Sequence, residues 1–82
     1  MSTTPTPERT ARVILRVLVH GLRLRAGQGV LVDLLRQRLH GEGVEWHDVP
    51  QGLRHAASQG WLLYDERNAW VRLMEAGFLS VS

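Results

Sequence analysis

Gln51, Arg54, His55, Ser58 and Gln59 fall at three- and four-residue spacings, so a helix through them carries all five on one polar side, away from Leu53. Glutamine and arginine make paired hydrogen bonds to adenine and guanine edges, while serine and histidine suit phosphate oxygens. Arg67 stands within the polar run Asp65-Glu66-Arg67-Asn68. On a hairpin tip its guanidinium would suit the negative potential of a narrow minor groove. Asp65 is expected to orient it, and Glu66 to repel phosphate. Any solvated helix face or loop is polar too, so these residues are also what plain exposure would select.

A second basic set is Arg9, Arg12, Arg16, His20 and Arg23, one stripe along a first helix. Solvation explains such a stripe most simply. Phosphate or an acidic partner protein are the functional alternatives, with Arg12 and Arg16 as candidate protein contacts. Trp70 is a further candidate: if Val71 and Leu73 face a core, strand alternation turns Trp70 outward, beside Tyr64 or Leu62.

Other chemistry is poorly supplied. His40, Glu42, Glu45 and His47 match no standard ligand spacing, and glycines loosen the loop between them. There is no cysteine, no nucleophile in recognisable relation to a base, and no glycine-rich phosphate loop. No metal, cofactor or enzymatic activity is expected.

The chain has 82 residues, enough for one modest core, and an apolar content of 44% that argues against wholesale disorder. All ten bases are arginine and eight residues are acidic, a net charge of only +2. The sequence pI near 10.4 therefore reflects arginine's persistent protonation rather than a large basic excess. No apolar run is long enough to span a membrane. The Arg-, Ser- and Thr-rich start mimics an organellar leader, but its residues are needed as the first helix. A cytoplasmic location without membrane contact is expected.

These side chains need elements to hold them. Residues 1–5 read as a flexible tail and residues 6–80 as a single domain. Thr6 and Pro7 open a first helix that carries Ala11, Ile14, Leu15, Leu18 and Leu22 and stops near Gly21. Leu22-Arg23-Leu24-Arg25 alternates as a short extra strand would. A second helix is expected from about Val30 to His40, with Leu31, Leu34, Leu35 and Leu39 inward. Asp48 and Gln51 form an Asp-x-x-Gln capping box for a third, which buries Val49, Leu53, Ala56, Ala57 and Gly60. Beyond Gly60 the period changes to two, predicting a β-hairpin over 61–74 with Asn68 at positive φ.

The predicted fold class is α+β: a small winged helix of three helices plus a C-terminal hairpin wing. The run Asp65-x-Arg67-x-x-x-Val71-x-Leu73-Met74-Glu75-x-Gly77 resembles the wing of the MarR-type bacterial transcription regulators, with Met74 where that family has threonine. Gly60-Trp61-Leu62 is similar to the junction before that wing. The resemblance implies a third helix in the major groove and Arg67 in the minor groove of double-stranded DNA. The loop from Gly60 to Asp65 is shorter here, and the family's long flanking helices have no counterpart, so neither its dimer nor its effector pocket is implied. A DNA-binding transcription regulator or accessory factor is thus the leading expectation. The alternative is a winged helix that binds a protein partner. A homodimer is compatible with both.

Overall fold

Thr6 opens the first helix as its sequence suggests, the hydroxyl accepting from the Arg9 N–H at 3.2 Å with Pro7 in the first turn. The computed structural model describes residues 6–81, so the expected tail lies outside the described residues. Helix α1 (Pro7–Arg16) runs without a break into a π-helical turn, Val17–Gly21. Then come β1 (Gly29–Leu31), α2 (Val32–Gly41), a 3-10 turn (Trp46–Asp48) and α3 (Val49–Ser58). Strands β2 (Leu62–Asp65) and β3 (Trp70–Leu73) and helix α4 (Glu75–Val81) complete the chain. Among the described residues the fold is α+β, with four helices and a three-stranded antiparallel sheet of order β1-β3-β2.

The core gathers Ala11, Ile14, Leu15 and Leu18 from the first helical stretch, Leu35 and Leu39 from α2, and Val49, Leu53 and Ala56 from α3. Leu62, Val71 and Leu73 close it from the sheet, and the expected inward pair Val71 and Leu73 is fully buried. Helix α3 lies tightly on α1 at Gly52. A Cβ there would stand 2.5 Å from Thr10 Cγ2 and 2.9 Å from Ile14 Cδ1. Gly52, rather than the half-buried Ala57 or the exposed Gly60, lets these helices meet closely. Gly60 instead ends α3 at φ 76°, a conformation that glycine adopts without strain.

Several expectations are corrected. The extra strand is Gly29–Leu31, not Leu22–Arg25, where Arg23 takes a positive φ of 56°. Leu31 pairs with Trp70, and Val30 with Val71. Helix α2 therefore starts at Val32, with Val32, Leu35 and Leu39 inward, while Leu31 and Leu34 are exposed. The capping box is not made: Asp48 has helical backbone angles and no side-chain capping bond, because a 3-10 turn leads straight into α3.

Positive φ in the hairpin falls on Ala69, at 51°, not on Asn68. Asn68 instead donates through its side-chain amide and its backbone N–H to the Asp65 carboxylate, at 2.8 and 3.2 Å. The fourth helix was not expected. Its Gly77 lies so close to the Trp61 backbone that a Cβ would stand 2.8 Å from the Trp61 carbonyl carbon. The Met74 N–H donates to the Trp61 carbonyl oxygen at 3.0 Å. The segment Met74-Glu75-x-Gly77 thus joins β3 to α4 and packs α4 beside the start of β2.

Candidate nucleic-acid interface

The polar side of α3 is built as the spacing predicts. Gln51, Arg54, Ser58 and Gln59 are exposed, and Leu53 on the opposite side is fully buried. His55 is only half-buried rather than free: its ring meets Trp61 edge to face, 6.3 Å between centroids. The Ser58 hydroxyl donates to the His55 carbonyl at 2.6 Å. That bond occupies the hydroxyl's single proton, so in this arrangement Ser58 can only accept from a ligand.

The hairpin tip sits against this helix face. Arg54 donates from Nε and Nη2 to one oxygen of Glu66, at 2.8 and 2.6 Å. Twelve residues separate the pair in sequence, and both ends are solvent-exposed. Hydrogen bonding and charge from Glu66 raise the Arg54 pKa further above its ordinary value, so the guanidinium stays charged. Arg54 is nevertheless held by a carboxylate, and must exchange that partner to read a base edge.

Arg67 is exposed at the tip, with no ion-pair partner among the described residues. Asp65 does not orient its guanidinium, since the Asp65 carboxylate is taken by Asn68. Those two bonds lower the Asp65 pKa below its ordinary value, and the Arg67 backbone N–H adds a smaller effect in the same direction. Glu66 points to Arg54, so the tip presents one free cation beside a partly compensated acid.

Trp70 does face away from the core, but among different neighbours than expected. Leu62 and Tyr64 lie across from Leu73 and Val71, on the core side. The outer side carries Leu31, Leu63 and Trp70 together with Arg72 and Asp65, Asp65 lying directly across from Trp70. Trp70 is half-buried because its ring lies over Gly29; a Cβ on that glycine would stand 2.7 Å from the indole Cε2. Leu31 and Leu63 are the open apolar groups here, 56% and 53% exposed. Leu31 reaches this side because it pairs with Trp70 as part of a strand, which its helical spacing in the sequence hides.

The stripe on α1 divides. Arg12 pairs with Glu8 at 3.3 Å, an exposed contact one helical turn apart. Arg9 and Arg16 are exposed, and His20 Nε2 donates to the Val81 carbonyl of α4 at 2.8 Å. Arg36, not singled out by the sequence, lies 3.9 Å over the Trp46 ring and is also 3.8 Å from Asp33. His40, Glu45 and His47 border one open hollow beside Trp46, yet among the described residues no three acidic or imidazole groups converge as metal ligands would. Comparisons with protein-family models, with curated proteins and with solved structures gave no match.

Proposed function

We propose that the chain is a small winged helix-turn-helix module that binds double-stranded DNA, acting as a transcription regulator or an accessory factor rather than as an enzyme. The observation that carries this reading is the contact of the α3 polar face with the hairpin tip through Arg54 and Glu66. A recognition helix and a wing must lie side by side for one to enter the major groove while the other meets the adjacent backbone or minor groove. The order of a first helix, a short strand, two helices and a hairpin whose second strand pairs with that short strand is also the one such a module needs. In this mechanism Gln51 and Arg54 read base edges, Gln59 accepts or donates and Ser58 accepts at the groove wall, and His55 supports the face from its edge. Arg67 contacts phosphate or the minor groove. The test is titration of a random duplex of about 20–30 base pairs at several salt concentrations. Log-linear weakening with salt is expected. Absence of association at low salt overturns the reading.

One observation favours a second reading, a protein-interaction module. The outer sheet side exposes Leu31 and Leu63 around Trp70, an apolar surface that a duplex would not cover.

A further inference from the structure

Arg16 ends α1, and Arg38 lies in the last turn of α2. Together with Val13, Val17, His20 and Glu42 they border a single open hollow of about 320 Å³. Arg12, Arg36 and Arg54 each have a carboxylate within 4 Å. Neither Arg16 nor Arg38 has an ion-pair partner among the described residues, although Glu42 sits four residues beyond Arg38. The lining is mixed: beside the charged groups, half-buried Val13 and the largely covered Val17 supply its apolar side chains.

The π-helical turn shapes one wall. The Leu22 N–H reaches the Val17 carbonyl at 2.7 Å, and the Leu24 N–H reaches Leu18 at 2.8 Å, both longer steps than an α-helix makes. Turns of this kind often mark functional positions in helices. His20 sits in this turn, and a carbonyl can only accept, so its bond to Val81 fixes the proton on Nε2. The imidazole is thereby anchored at the edge of the hollow by α4.

We propose that this hollow docks an acidic, amphipathic segment of a partner protein. One aliphatic side chain covers Val13 and Val17, and neighbouring carboxylates pair with Arg16 and Arg38. Guanidinium forks match carboxylates in two parallel hydrogen bonds, and two arginines from different helices select for acids spaced on one face of the ligand. Duplex phosphate offers nothing apolar to cover Val13. Glu42 at the rim disfavours a ligand that is uniformly anionic and favours one with acids only toward the arginines. None of the bordering residues belongs to α3 or the hairpin, so the site stands whether or not the chain binds DNA.

The experiment uses the whole chain and fluorescence anisotropy at low salt. One probe is a labelled helical peptide of about four turns, with leucines every three or four residues flanked by glutamates. A second has the same composition in scrambled order, and a third is a random duplex of about 25 base pairs. The Arg16→Ala/Arg38→Ala variant should bind the patterned peptide at least about tenfold more weakly. An Arg9→Ala/Arg25→Ala variant, which loses the same charge elsewhere, should change by less than about twofold. Circular dichroism checks that both variants fold. Equal loss in the two double variants, or equal binding of patterned and scrambled peptides, overturns the proposal, as does no peptide binding by the parent chain. If removing Arg16 and Arg38 weakens only the duplex, the hollow is a phosphate surface and the proposal also falls.

Discussion

Arg54 and Glu66 share one carboxylate oxygen through two guanidinium donors, tying the middle of α3 to the tip of the hairpin. The contact orders the two parts of the candidate interface and at the same time occupies its central cation. Glu66→Gln keeps a carbonyl acceptor for Arg54 and removes the negative charge. Affinity for duplex DNA should rise by about three- to tenfold, and its salt dependence should steepen by about one unit of log–log slope. Arg67→Ala should do the reverse on all sequences alike, whereas Arg54→Ala should chiefly erase preference among sequences. Identical losses for the two arginine variants would show that neither reads bases.

Gly52 and Thr10 test the packing that holds α3 in place. In an exposed helix, Gly→Ala would stabilise by about 1 kcal/mol. Here the added methyl meets the Thr10 side chain of α1, so Gly52→Ala should destabilise by about 1–3 kcal/mol in urea unfolding. Thr10→Ser removes Cγ2, the nearest obstacle, and the double variant should recover at least part of the loss. Additive effects would mean that α1 and α3 do not meet at this point.

Ala69 adopts a left-handed backbone without being glycine or asparagine. Such a residue costs about 1–2 kcal/mol relative to its relaxed state. Ala69→Gly should therefore raise stability by about 0.5–1 kcal/mol, the gain being trimmed by glycine's greater freedom when unfolded. A lower melting temperature would contradict the turn geometry.

Asp65 should titrate below its ordinary value near 3.8, because Asn68 donates to the charged form. A carboxylate depressed by folding stabilises the protein fully above its unfolded pKa, and that contribution disappears as pH falls through the lower folded value. Asn68→Ala removes the side-chain donor, so the Asp65 titration followed by NMR should move up. Melting temperature should then fall less steeply on acidification below about pH 4. An unmoved titration would mean that the Asp65–Asn68 bond does not persist in solution.

Local chemistry in the sequence determined the parts that need no distant partner. Thr6 and Pro7 start α1, the period of Ala11, Ile14, Leu15 and Leu18 sets its inner side, and alternation at Val71 and Leu73 selects the buried side of the hairpin. The exposed set on α3 follows from the same periodicity. Short segments were different, because three or four residues fit more than one period. Val30 and Leu31 became strand because β3 offers them hydrogen-bond partners, which turned Leu31 outward. A seven-residue helix such as α4 gains too little from its own backbone to declare itself; it is held by contact between Gly77 and the Trp61 backbone. Tertiary structure alone also chose the ionic partners. Arg54 met Glu66 rather than open solvent, and Asp65 met Asn68 rather than the Arg67 guanidinium, because side-chain pairing depends on where the hairpin folds back and composition carries no record of it.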